Sequence, residues 1–141
     1  MKKLEFSIEI NSPKEKVWDA LWKDENYSQW TSVFSPGSYA EFDFVEGSKF
    51  RFMSPENHGV WGVIQKLVPF ETIHFLHKGE VHNGEEQPEK YDDDAIENYD
   101  LTEKNGVTTL VSTLKTTEEY LDFFVQVLPK AMQKIKEIAE K

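Results

Sequence analysis

Two alternating stretches of this chain carry side chains able to hold or move a proton. His74 and His77 lie in Ile73-His74-Phe75-Leu76-His77, and Glu97 and Tyr99 lie in Ile96-Glu97-Asn98-Tyr99. Histidine is the usual general base near neutral pH. On a strand, residues three apart point to opposite faces, so His74 and His77 cannot form a paired site. His77 shares the inward face with Ile73 and Phe75, where it could meet the polar group of a ligand. Glu97, Tyr99 and Leu101 share one face as well, and burial there would raise the pKa of a carboxylate and so tune it as an acid or base. The bland alternative is a rim histidine satisfied by one hydrogen bond and a glutamate half in water. No catalytic residue is assigned on this pattern alone.

Other chemistries find less support. The chain has no cysteine, which excludes disulfides, thiolate zinc sites and thiol nucleophiles and fits a reducing, cytoplasmic location. Ser112 falls on an inward face but sits in no Gly-x-Ser-x-Gly turn. No glycine-rich loop opens a helix to cradle phosphates. The acids Glu85, Glu86, Glu89, Asp92, Asp93 and Asp94 offer oxygen ligands but lack the spacing of a calcium loop, and such runs are usually solvated. No metal or cofactor is expected. His58 and His82 fall in predicted loops and should be solvated.

The elements that must position these side chains follow from periodicity. Leu4, Phe6, Ile8 and Ile10 alternate with Lys3, Glu5, Ser7 and Glu9, as in a half-buried strand. Asn11 or Ser12 then caps a helix with Pro13 at its first position, and Val17, Trp18, Leu21 and Trp22 form its inward stripe. Asp24 to Trp30 reads as a second short helical turn. From Tyr39 the pattern is β: a hairpin of Ala40–Phe44 and Lys49–Phe52 around Glu46-Gly47-Ser48, a strand Val60–Val68 with a register break near Lys66-Leu67, and a turn at Pro69. Lys78 to Asp94 carries Gly79, Asn83, Gly84, Pro88 and many acids, and is expected to be irregular. Ile96–Thr102 and Val107–Lys115 form a last hairpin around Asn105-Gly106. Thr116 and Glu119 suggest a capping box, followed by a helix whose stripe is Tyr120, Phe124, Val127, Leu128, Ala131, Ile135 and Ile138, kinked at Pro129.

At 141 residues, with no linker or repeat, one domain spanning 1–141 is expected. The opening segment alternates charge too closely to form a signal peptide or a membrane span. Acidic residues outnumber basic ones 26 to 16, giving a formal charge of −10, and that field repels a nucleic-acid backbone. Aromatic residues make up 13% of the chain, enough either to fill a core or to line an apolar pocket.

The order strand, two short helices, antiparallel strands and one long helix resembles the START-like superfamily, in its branch related to the activator of the Hsp90 ATPase. Three stretches carry the likeness: Ile8 to Leu21, with its Pro13-started helix bearing Val17-Trp18; Trp30 after an acidic short turn; and Glu46-Gly47 before an aromatic-alternating strand, with Gly62 and the Pro69 turn beyond it. The resemblance implies an α+β helix-grip fold, a curved antiparallel sheet wrapped around the long C-terminal helix, with a cavity between them. Its members include lipid carriers, hormone-binding proteins, polyketide cyclases and the co-chaperone domain. The acidic segment 80–94 departs from the family, and its role stays open.

The reading is therefore a protein that binds a small apolar or lipid-like molecule in that cavity. Expected to line it are Trp30, Phe42, Phe50, Phe52, Trp61, Phe75, His77, Glu97, Tyr99, Phe124 and Leu128, with the orientation of Trp61 depending on the register at Gly62. One alternative is a co-chaperone module with an Hsp90-type chaperone as partner. A second is a cyclase- or hydrolase-like enzyme using Glu97, His77 or Tyr99, which requires those groups to converge. Oligomeric state is left open.

Overall fold

A computed structural model of the chain describes residues 2–91 and 95–141. Its elements run β1 (Lys2–Ile10), α1 (Lys14–Trp22), α2 (Asp24–Thr31), β2 (Tyr39–Phe42), β3 (Lys49–Met53), β4 (Gly59–Val68), β5 (Thr72–His82), β6 (Glu85–Glu86), β7 (Ile96–Lys104), β8 (Val107–Thr116) and α3 (Glu118–Ala139). The sheet is antiparallel, in the order β1-β8-β7-β5-β4-β3-β2, with β6 added to β5. This is the helix-grip architecture that the family resemblance implies.

The inward face alternates as the residue pattern requires. Ile10, Phe50, Ile64, Ile73, Phe75, Tyr99, Leu101 and Leu110 are buried together with Val17, Trp18, Leu21 and Trp22 of α1. Edge-to-face ring contacts knit this layer: Trp22 lies 5.4 Å from Phe75 and 5.2 Å from Tyr99, and Phe50 lies 4.8 Å from Phe75. Gly62 is a space requirement, because a Cβ there would collide with the carbonyl of Leu76 and the Phe50 ring.

Several local expectations are corrected. Neither helix cap forms with a side chain: Pro13 stands at the N-cap of α1 and Thr117 at that of α3, while Thr116 still belongs to β8. The register break in β4 falls between Ile64 and Lys66, beside the position expected, and a second shift lies between Trp61 and Gly62, where the partner positions on β5 pass from Gly79 to His77. Pro129 falls inside α3, where the residue pattern puts it. Tyr120, expected on the inward stripe of that helix, is 53% exposed.

The largest correction concerns 78–94. Strand β5 continues to His82, turns at Asn83-Gly84 with φ of 52° and 80°, and returns as β6. Two successive positive φ values are what a two-residue hairpin turn of matching twist requires, and Asn-Gly supplies them. The returning segment is fastened to the outer face of the sheet. Glu86 accepts from Lys49 at 2.8 Å and Arg51 at 3.0 Å, and Trp61 Nε1 donates to the Gln87 carbonyl at 2.8 Å. Gly79 leaves room for this, since a Cβ there would lie 2.7 Å from Trp61 Nε1. The run Asp92-Asp93-Asp94, weighed above as cation ligands, lies outside the described residues. No cluster of three or more metal-ligating side chains occurs among those described.

Trp61→Phe removes the hydrogen bond to Gln87 and should cost about 1 kcal/mol. Tryptic cleavage after Lys90 should then accelerate several-fold relative to cleavage elsewhere; unchanged cleavage would contradict this anchoring.

Candidate functional site

Helix α3 is packed along only part of its length. Its buried residues are Leu128, Ala131, Met132, Ile135 and Ala139, none of them before Leu128. In the first half Phe124 is half-buried, while Tyr120 and Phe123 are 53% and 45% exposed. Between that half and the sheet lies a cavity of about 670 Å³, within the range of small-molecule sites. Glu119, Tyr120, Phe123, Phe124 and Leu128 line it from α3, with helical spacing that places them on one face. Tyr27, Trp30 and Thr31 of α2 line one wall, with Phe34 beyond them. Phe52, His77, Glu97, Tyr99, Ser112 and Leu114 of the sheet form the floor.

The expected site residues divide into three groups. Trp30, Phe52, His77, Glu97, Tyr99, Phe124 and Leu128 meet at the cavity. Phe42, Phe50 and Phe75 do not line it; Phe42 and Phe75 pack against Trp22 and Phe50 packs against Phe75, with ring centroids 4.8 to 5.8 Å apart among Phe42–Trp22, Phe42–Phe75 and Phe50–Phe75. Trp61 is displaced altogether. It pairs with Arg51 and Gly79 on the outward face, and Lys49 Nζ sits 5.2 Å from its ring centroid. Gly62 takes the inward position that Trp61 would otherwise hold.

Cross-strand register converges the polar residues on the floor. Phe75 pairs with Glu97 across β5 and β7, and Tyr99 pairs with Ser112 across β7 and β8. His77 Nε2 lies 3.0 Å from Glu97 Oε1, and the Tyr99 hydroxyl donates to Glu97 Oε2. The Ser112 hydroxyl lies beside the Tyr99 phenol. His74, on the opposite face, instead meets Asp100 at 3.0 Å. Burial, reinforced by the Glu97 charge, pushes the Tyr99 phenol well above its ordinary pKa, and the same two causes in the same order raise Tyr27. Both phenols are therefore proton donors at neutral pH. A carboxylate bridging an imidazole and a phenol can fix the histidine tautomer and accept further donors, although neither histidine nor tyrosine is free of it.

Sequence reasoning passed over Tyr27, Phe34 and Ser112 as site residues. Tyr27, Trp30 and Phe34 recur three and four apart and so share one helical side, which was a usable signal. Trp30 is fixed there by its Nε1 hydrogen bond to the Leu21 carbonyl at 2.9 Å. Ser112 was visible as a small residue on an inward face between Leu110 and Leu114, where lack of volume leaves space opposite Tyr99.

A curved antiparallel sheet closed by a C-terminal helix over an apolar cavity is the START-like helix-grip class. Residues 11–140 match the model for the family described as Activator of Hsp90 ATPase homolog 1-like protein, and the chain belongs to that family. Solved structures share the fold at low identity. Protein MLL2253 from Mesorhizobium loti is 15% identical with a TM-score of 0.72, over 97% of this chain and 96% of that one. The Aha1 dimer from Colwellia psychrerythraea is 19% identical with a TM-score of 0.71, over 99% and 97%. DynU16, a protein in the dynemicin biosynthetic locus, gives 0.73 at 11% identity; all of this chain is covered but it spans only 48% of DynU16. No curated protein matches. No helix among the described residues is long and apolar enough to cross a membrane.

The raised phenols give a sign for alkaline stability. An unfolded tyrosine loses its proton near pH 10, whereas folded Tyr99 and Tyr27 retain theirs. Stabilisation is therefore complete below pH 10 and declines as pH rises from there toward the folded values. Between about pH 9 and pH 11, Tyr99→Phe should lose roughly 1 kcal/mol less stability than the parent in urea titrations. Equal losses would contradict the buried neutral phenol.

Proposed function

We propose that the chain binds a small apolar molecule in the cavity between α3 and the sheet. The observation that carries this reading is the cavity itself, about 670 Å³ and walled by Trp30, Phe34, Phe52, Phe124 and Leu128. Such walls favour an apolar body through the area removed from water, and a few floor groups orient it. The neutral fluorophore N-phenyl-1-naphthylamine should bind at one site per chain with an emission increase. Phe124→Asp puts a charge on the half-exposed lid residue and should weaken binding at least about tenfold, with little change in melting temperature. Absence of binding to the parent chain, or unchanged affinity in the variant, would remove the reading.

A second reading is a protein-interaction module with an Hsp90-type partner, as the family name suggests. It is supported by the exposed apolar residues Phe44, Val45, Val68 and Phe70 at the end of the sheet away from the cavity lining. Phe44 and Phe70 flank Trp18 at 6.3 and 6.0 Å, and Phe70 takes the left-handed φ of 68° that a bulky residue rarely adopts. Under this reading Phe70→Ser abolishes capture of the chaperone and any stimulation of its ATPase. If the parent chain neither binds the chaperone nor changes its ATPase rate, the module reading is excluded.

A further inference from the structure

The floor of the cavity carries information about the inner end of the ligand, provided the small-molecule reading above holds. Glu97 sits among apolar residues, between Phe75 and Leu114 on the neighbouring strands. Each of its oxygens receives one hydrogen bond, Oε1 from His77 and Oε2 from Tyr99. An ionised carboxylate has about four acceptor directions, so both oxygens keep capacity on a residue that faces the cavity. The other titratable groups of the lining are Tyr27, His58, Glu80, Lys90, Tyr91, Lys115, Glu119 and Tyr120. Of these, Lys90 Nζ is bonded to Glu80 at 3.3 Å, and Glu119 adds a further negative charge. Glu97 thus keeps open acceptor directions on a side chain that is 21% exposed and faces the cavity, with His77 and Tyr99 already bonded to it.

We propose that the natural ligand seats a hydrogen-bond-donating head, a hydroxyl or an ammonium, on Glu97, with its apolar body directed toward Phe123 and Tyr120 at the mouth. A donor head completes the open acceptor directions of the carboxylate in a low-dielectric site, where charge-assisted hydrogen bonds are strong. Trp30, Phe52 and Tyr99 line the same cavity, and an aromatic lining suits an ammonium as well as an apolar body. A carboxylate head at the same depth would meet Glu97 as a like charge and lose its hydration without a partner. The site therefore discriminates by head group while accepting varied apolar bodies.

The test is displacement of bound N-phenyl-1-naphthylamine by dodecylamine, 1-dodecanol and dodecanoate, each below its micelle concentration, on the parent chain and on Glu97→Gln. On the parent chain the amine and the alcohol should displace the probe at concentrations at least about tenfold lower than dodecanoate, as like-charge exclusion predicts. Glu97→Gln keeps the shape and removes the charge, so the interval between amine and dodecanoate should contract to about threefold or less. Dodecanoate displacing as well as the amine and the alcohol on the parent chain would overturn the proposal without any variant. An interval unchanged by Glu97→Gln, in a variant that melts like the parent, would overturn it as well. Failure of the parent chain to bind the fluorophore at all is a different result: it removes the pocket reading and this proposal with it.

Discussion

The apolar stripe of α3 changes character at Leu128, and the rest of the site depends on that change. From Leu128 onward the helix buries Ala131, Met132, Ile135 and Ala139 against the sheet, α1 and β1. That burial is enough to hold the helix in place, because each fully buried aliphatic side chain contributes roughly 1.5–3 kcal/mol. Before Leu128 the same helix carries aromatic residues that are only partly covered. A helix anchored by one end can span a gap that no isolated loop could, since its backbone hydrogen bonds are satisfied internally. The cavity is the space under the spanning half.

The inner face of the sheet is correspondingly divided. Phe42 and Phe75 pack against Trp22, Phe50 packs against Phe75, and Phe75 has no exposure at all. A few residues further along the same strands, β5 and β7 present His77, Glu97 and Tyr99 instead. Placing a carboxylate there requires partners, because an isolated buried charge is very costly. The imidazole and the phenol meet that requirement, and in return the charge helps keep the Tyr99 and Tyr27 phenols protonated. Core and site are thus two regions of one surface, distinguished by whether a ring or an ionisable group occupies each inward position.

Much of this was legible in the residues. Alternation in β1, β5, β7 and β8 assigned the faces of Phe75, His77, Glu97 and Tyr99, because period two leaves no other choice once a strand is recognised. What alternation cannot supply is the gap between elements. Phe42, Phe50 and Phe75 share their inward orientation with Phe52, and only the distance to α3 makes Phe52 part of a cavity wall and the others part of the core. Trp61 failed for a different reason: β4 carries an extra residue at Gln65, so counting back from Leu67 by twos puts Trp61 inward. The unbroken pairing with β3 instead places Gly62 opposite Phe50 and Trp61 opposite Arg51, and bulges of this kind have no reliable local signature. The segment after Lys78 was misread because Pro88 and the acids outweighed the Asn83-Gly84 signal, although the same dipeptide at Asn105-Gly106 was read correctly as a turn. The absent side-chain caps of α1 and α3 show tertiary context overriding local preference, with β8 running on through Thr116.

Residue-resolved native-state hydrogen exchange along α3 tests the one-ended anchoring most directly. The first few amides of any helix lack intrahelical acceptors, so the comparison is between residues 122–127 and residues 130–139. Amides of 122–127 should exchange through low-energy local opening and those of 130–139 only through opening close to global unfolding; an apolar molecule in the cavity should slow the first group and leave the second unchanged. Uniform, global-level protection along the whole helix, indifferent to any added apolar molecule, would mean that both halves are packed alike and would contradict the account.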